Sequence, residues 1–408
     1  MKHVIIGAGA AGITAAKTIR KLQPLDEIVL ISEDKHITSR CLLHKYVSGE
    51  RDVDKLSFVP PNFFDDNRIE WQSGARVTGI DTVAQIIYCG DANTSYDKLL
   101  IATGAEGVFP PIAALSTAAN VFGFRHFSDA QAIRQAALLA RRIVVTGAGL
   151  AGLDAAYALL RMKKDVTVVE SFPHIMALNL DKRAAEAYQD RFETAGCKFC
   201  FGRKVTDASL SNTGNIVQVV LDDGSLLPCG LMVLAAGVRP AAGFLKGSNI
   251  ACNGAITVDS YLATSCPNVY AAGDVAGLSG TWPNAKHQGK IAAMNMCGEA
   301  KTYDDSFAAK NVVNFFGLAT ISVGLLMPEE GDRMEVREDS KIYQKFIIRK
   351  GRVAGVILQG DISNSGFWQY VVKNGVLVDK VNKPLWKLSF ADFCLLDKEG
   401  RYSWQVTG

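Results

Sequence analysis

Little in this 408-residue sequence points toward a membrane, a nucleic acid or a metal. Its 44 basic and 41 acidic residues leave a formal charge of only +3, which removes the electrostatic case for nucleic acid. No apolar run reads as a membrane-spanning helix. The nearest, residues 311–326, holds Asn311, Asn314, Gly317 and Gly324 among β-branched residues and reads as buried strands. Histidine is scarce, and His3, His36, His44 and His126 show no pattern of a triad or a metal site. Cysteine numbers nine, an odd count scattered along the chain, which is no disulfide framework and suits a cytoplasmic setting. Cys197-Lys-Phe-Cys200 has C-x-x-C spacing but no second pair, so two packed thiols on a strand are expected. Met1-Lys2 leads straight into an apolar strand, and no signal peptide is expected.

Glycine, by contrast, is plentiful at 37, and its placement is informative. A strand followed by Gly7-x-Gly9-x-x-Gly12 and an Ala-rich helix opens the chain, and Ile28-Val-Leu-Ile-Ser-Glu33 closes the unit on an acid. The same unit returns as Arg142-Ile-Val-Val-Thr, Gly147-x-Gly149-x-x-Gly152, a helix to about Met162, and Val166-Thr-Val-Val-Glu170. In such a unit the first glycine turns tightly, the second admits a pyrophosphate against the backbone, and the third lets helix pack on strand. The pyrophosphate then meets the free N–H groups and positive dipole end of the helix. Two units predict two dinucleotides, and two dinucleotides in contact predict hydride transfer. Glu170, followed by Ser171-Phe172-Pro173 with no adjacent arginine, suits ribose hydroxyls and opposes a 2′-phosphate, so NADH is expected over NADPH.

At this length several domains are expected. The fold class is α/β, with two Rossmann-like three-layer domains and a C-terminal α+β domain. The first unit closes with Ala102-Thr103-Gly104 and the second with Ala236-Gly237-Val-Arg-Pro240, an echo that supports internal duplication. Val269-Tyr-Ala-Ala-Gly273-Asp274 ends another strand, and a helix is predicted from about Asn284 to Gly298. From Phe307 short β-branched strands and turns predict a separate module.

Taken in order, these motifs resemble the two-dinucleotide flavoprotein superfamily of the glutathione reductase type, over about 300 residues. The resemblance implies an FAD domain in two parts, 1–106 and 239–306, an NAD domain at 107–238 and an interface domain at 307–408. Ser39-Arg40-Cys41-Leu-Leu-His-Lys45 through Gly49-Glu50 is similar to the flavin portion of NADH nitrite reductases and to rubredoxin and ferredoxin reductases. It also resembles the Ser-Cys-Gly segment of NADH oxidases, peroxidases and coenzyme A disulfide reductases, except that Leu42 replaces the glycine.

The resemblance implies cofactor contacts from Gly7, Gly9, Gly12, Glu33, Arg40, Val77, Thr103, Gly104, Gly273 and Asp274 toward FAD, with Lys286 on the following helix. Gly147, Gly149, Gly152, Glu170 and Gly237 would serve NAD(H). Lys45 is expected beside the flavin, paired with Asp154, which stands where the family carries glutamate. Cys41 is a candidate second redox centre or a packed thiol. The expected function is an FAD-dependent NAD(H) oxidoreductase exchanging electrons with an iron–sulfur protein or subunit, such as rubredoxin, a ferredoxin or a larger complex. FAD subunits of aldehyde oxidoreductases and phenylglyoxylate dehydrogenase are similar. The sequence holds no iron–sulfur cysteine cluster and stops before any domain that would carry one, so the acceptor is expected on a partner. Two alternatives stand beside this reading: an oxidase, peroxidase or disulfide reductase working through Cys41, and a redox-sensing binding flavoprotein. A homodimer through the third domain stays open. The tail aromatics Trp386, Phe390, Phe393, Tyr402 and Trp404 read either as an interaction surface or as a folded-back apolar edge.

Overall fold

The computed structural model describes residues 1–278, 280–304, 310–379, 382–396, 398–400 and 402–404. It falls into two compact units, residues 1–171 with 196–305 and residues 172–195 with 306–408. The first unit begins β1 (Lys2–Ile6), α1 (Ala10–Leu22), β2 (Glu27–Ser32), α2 (Leu43–Val47), β3 (Glu70–Ser73) and β4 (Lys98–Ile101). It continues through β5 (Ala105–Gly107), β6 (Val121–Gly123), α3 (Phe127–Leu139), β7 (Arg142–Thr146), α4 (Leu150–Arg161) and β8 (Asp165–Glu170). Helix α5 (Lys182–Thr194) lies in the second unit. The chain then returns with β9 (Lys198–Phe201), β10 (Leu231–Leu234), β11 (Val238–Pro240), β12 (Val269–Ala271) and α6 (Trp282–Met296).

Two parallel sheets result, in the orders β12-β4-β1-β2-β3 and β9-β8-β7-β10-β6. Their strands are continuous apolar runs such as Val4-Ile5-Ile6 and Ile143-Val144-Val145, buried on both faces as parallel strands require. Strand β12, late in sequence, pairs with β4, so the first sheet is completed only after the second sheet has been built. The exits of both sheets run side by side as an antiparallel ribbon, β5 against β11, braced by Glu106 and Arg239 at 2.9 Å. Helices α1 and α6 meet closely: a Cβ at Gly289 would lie 2.2 Å from the Ala11 carbonyl oxygen.

The second unit holds a five-stranded antiparallel sheet of β13 (Lys310–Phe315), β14 (Leu318–Gly324), β15 (Arg333–Glu338), β16 (Tyr343–Arg349) and β17 (Arg352–Gln359), ordered β13-β14-β17-β16-β15. The run expected as buried strands is the β13–β14 hairpin. Helix α7 (Ser365–Asn374) buries Phe367 and Trp368 against this sheet. An unbroken segment 107–238 was expected, but the structure assigns α5 and its approach to the second unit. Its buried Tyr188 hydroxyl donates to the Leu318 carbonyl at 2.6 Å and lies 2.9 Å from Thr320 Oγ1, and its N-cap Asp181 pairs with buried Lys345 at 2.9 Å. The expected 306/307 boundary lies outside the described residues. Trp386 and Phe393 fold back onto the second unit's core, and Phe390 meets the Phe367 ring edge-on at 5.1 Å. The side chains of Tyr402 and Trp404 lie outside the described set. Among the described residues no helix is long and apolar enough to cross a membrane, and no His, Cys, Asp and Glu group could hold a metal.

Candidate functional site

The two glycine loops repeat one geometry. Gly7 and Gly147 adopt φ of +108° and +91°, a region open to glycine. A Cβ at Gly12 would stand 1.9 Å from the Gly7 carbonyl oxygen, and one at Gly152 would stand 1.9 Å from that of Gly147. Those glycines are therefore fixed by strand–helix packing. The middle glycines differ: a Cβ at Gly9 or Gly149 would meet nothing within 4 Å. Each is the N-cap of its helix and, being glycine, offers no side-chain cap to the first turn. Open space in front of uncapped amides fits a pyrophosphate at both loops.

The acids that close the two units differ in setting. Glu33 is exposed beside Arg76, at 3.4 Å. Glu170 is buried, and its carboxylate accepts from the Ala148 amide inside the glycine loop and from Ser171 at 3.1 Å. Val77 packs its side chain into the core behind the first sheet. Thr103 donates to the Ala241 carbonyl at 2.8 Å, and Ala241 N–H returns a bond to Gly104 at 3.0 Å, tying the first sheet's exit to the chain's return. Gly237 (φ +127°) follows β10 and accepts from the Val108 amide at 3.1 Å.

Asp274 follows Gly273, whose φ is +84° and whose N–H bonds fully buried Gln288 of α6 at 2.7 Å. Two guanidinium groups converge on one Asp274 oxygen, Arg125 at 2.6 Å and Arg40 at 3.4 Å. Arg125 also donates to the Ala105 carbonyl, and burial followed by the charge of Arg40 lowers its pKa from the usual arginine value. Two cations on one carboxylate leave surplus positive charge, which fits an anionic ligand at the first loop. Arg125 was absent from the expected site. Its only sequence signal is its position two residues ahead of α3, and no motif spacing singles it out. Lys286 is exposed on α6, which is capped by Thr281 and carries Pro283 in its first turn.

Around α2 the structure corrects one expectation. Lys45 pairs with Glu50 at 2.8 Å and not with Asp154. Asp154 lies instead 3.4 Å from His44 Nδ1. Lys45 and His44 are neighbours on a helix, so their side chains leave in directions about 100° apart, and the short aspartate meets the one facing α4. Burial lifts the Asp154 carboxyl to about 7. Burial, aided by Lys45, lowers the His44 imidazole to about 4. Sequence reasoning passed over His44 because no partner spacing marks it. Cys41 is the middle residue of the 3-10 turn Arg40–Leu42, with part of its surface exposed. Burial of its sulfur and the charge of Asp154 raise its pKa, outweighing Arg40.

Comparison with known proteins agrees with this geometry. The family model for pyridine nucleotide-disulphide oxidoreductase matches residues 1–289, and that for the rubredoxin NAD+ reductase C-terminal domain matches residues 310–376. The chain is 32% identical to the assimilatory nitrate reductase electron transfer subunit of Bacillus subtilis (strain 168), across 88% of this chain and 47% of that one. It therefore spans about half of that relative's length. It is 30% identical to the NADH-dependent phenylglyoxylate dehydrogenase subunit epsilon of Aromatoleum evansii, across 90% of each. Among solved structures, a ferredoxin reductase from Rhodopseudomonas palustris superposes with a TM-score of 0.84 at 27% identity, covering 92% of this chain and 95% of that one. The chain belongs to the pyridine nucleotide-disulphide oxidoreductase family.

Proposed function

We propose that this protein takes a hydride from NADH at its second glycine loop and delivers electrons singly to an iron–sulfur protein or subunit. The observation that carries the reading is the pair of matching cradles within one unit, each with open space before an uncapped helix N-terminus. Bound FAD supplies the conversion of a two-electron delivery into one-electron release.

The chain's own residues bind and orient. Gly9 and the first turn of α1 would hold one pyrophosphate, with Arg40 and Arg125 supplying positive charge. Gly149 and α4 would hold the other. Glu170, already anchored by the Ala148 amide, would receive ribose hydroxyls and repel a 2′-phosphate, which supports NADH over NADPH. Asp274, fixed by Arg125, would orient ribityl hydroxyls. The raised thiol pKa of Cys41 keeps it protonated, which opposes a thiolate redox role and supports the flavin as the redox centre. The iron–sulfur acceptor draws support from the C-terminal module match and from the nitrate reductase electron transfer relative. A cytoplasmic setting rests on the odd cysteine count alone.

The test is anaerobic titration of the purified flavoprotein with NADH, repeated for Cys41→Ser, followed by addition of a rubredoxin or a ferredoxin. One NADH per FAD in both proteins, with reduction of the iron–sulfur acceptor, is the expected result. Two NADH per FAD, falling to one in the variant, would assign Cys41 a redox role and overturn the simple relay.

A further inference from the structure

Beside the cofactor cradles lies a half-buried pair that the proposed electron path leaves unused. His44 Nδ1 is sealed from solvent, makes no hydrogen bond among the described residues, and faces Asp154 Oδ1 at 3.4 Å. The pair bridges two elements of different origin. His44 is on α2, just after the turn whose Arg40 reaches Asp274 of the first fold, and Asp154 is one turn into α4 of the second. Cys41 feels the charge of both Arg40 and Asp154, so Asp154 lies beside the turn whose Arg40 reaches Asp274.

The charged surroundings of this pair are defined. On its own segment stand Lys45, Glu50 and Arg51, with Lys45 engaged by Glu50. Helix α4 contributes Arg161, which acts on Glu50, and Tyr157, which carries Arg161 on its ring. Helix α3 contributes Arg134, spent on the Tyr46 ring at 4.9 Å. The turn before α2 brings Arg40 and Cys41, and the turn after it, Val53–Leu56, brings exposed Asp54 and Lys55. Lys45 and Arg51 disfavour charge on His44. A neutral imidazole matches either state of Asp154: through one tautomer it accepts from the protonated acid, through the other it donates to the carboxylate.

We infer that His44 and Asp154 form a redox-linked proton site, taking up one proton from solvent when the cofactor site is reduced and releasing it on reoxidation. The inference rests on the proposed function, in that it needs FAD bound on the first loop. The balance is simple. A hydride brings two electrons and one proton, so the site gains one negative charge, and a proton from water on Asp154 offsets it. When two electrons leave singly, that proton returns to water together with the one the hydride carried. Burial of Asp154, which moves its carboxyl to about 7, poises it for this exchange near neutral pH.

The experiment uses holoprotein and no NADH. The midpoint potential of the flavin is measured from pH 5.5 to 8.5 by stepwise chemical reduction with indicator dyes, in wild type, Asp154→Asn and His44→Gln. In wild type the slope above pH 7 should correspond to one proton more per two electrons than in either variant. Reduced-minus-oxidised infrared difference spectra give an independent readout. They should show a carboxylic-acid carbonyl band that shifts in D2O and is missing in Asp154→Asn. Identical slopes in all three proteins, or an unchanged band in Asp154→Asn, would overturn the inference. Failure of the wild type to hold FAD would sink the proposed function instead, so the two failures are distinct.

Discussion

The His44–Asp154 pair should govern the pH dependence of folding stability in a way that single substitutions expose. The folded Asp154 carboxyl titrates at about 7 against an ordinary 3.8, and the folded His44 imidazole at about 4 against 6.5. Between pH 4 and 6.5 folded Asp154 keeps a proton that the unfolded chain has lost, so its contribution to stability falls as pH rises. Over the same window folded His44 lacks a proton that the unfolded chain holds, so its contribution rises with pH. At about 1.4 kcal/mol for each pH unit of the window, each contribution changes by about 3 kcal/mol, with opposite sign. In the wild type they cancel almost fully. Asp154→Asn removes the falling half, so variant-minus-wild-type stability should climb by about 3 kcal/mol from pH 4 to 6.5. His44→Gln removes the rising half and should drop by about as much, while the double variant should track the wild type. Urea unfolding at fixed FAD excess, followed by far-UV circular dichroism across that range, measures these differences. Parallel curves for the two single variants, or slopes of the same sign, would refute the reasoning.

Two further substitutions test the cradles and their charge. Gly149→Ala should change stability by no more than about 1 kcal/mol, because its φ of −76° and open surroundings accept a methyl group, yet it should weaken NADH binding at least tenfold by filling the cradle. Gly152→Ala, whose Cβ would lie 1.9 Å from a backbone carbonyl, should instead cost about 3 kcal/mol or more by thermal unfolding, and equal losses in the two variants would contradict this assignment. Arg125→Ala strips Asp274 of its 2.6 Å partner and should cost about 3 kcal/mol, with loss of FAD on gel filtration; retention of FAD at wild-type affinity would remove Arg125 from the site.

How much of this was legible in the sequence follows from what each feature depends on. The glycine loops were legible because their constraints are local. Gly12 answers to Gly7, five residues away, and Gly152 to Gly147, and both constraints repeat wherever a strand must turn into a packed helix. The parallel strands were legible because double-sided burial writes itself as unbroken apolar runs. The attachment of α5 to the second unit was not, since its amphipathic face says only that it must be covered. What covers it is set by Asp181 meeting Lys345, 164 residues onward. Arg125 stayed hidden for the same reason: its partner Asp274 lies 149 residues away, and neither position marks the other.

The pairing at α2 shows the limit most sharply, because the residue next to the expected one makes the contact. The resemblance implies a contact between Lys45 and Asp154, and α2 does meet Asp154, through His44. It does not fix which side chain of that helix crosses the gap. One residue along a helix turns the side chain by about 100°, and shortening glutamate to aspartate withdraws the carboxylate by one methylene. A lysine reaching for the shorter acid finds Glu50 nearer, on its own segment, at 2.8 Å. Asp154 is then left in a poorly solvated gap beside His44, and burial pushes it toward neutrality. The imidazole beside it can answer either protonation state, which a lysine ammonium cannot. With aspartate at this position, the carboxyl stands in a titratable pair with an imidazole instead of in an ion pair with the neighbouring lysine.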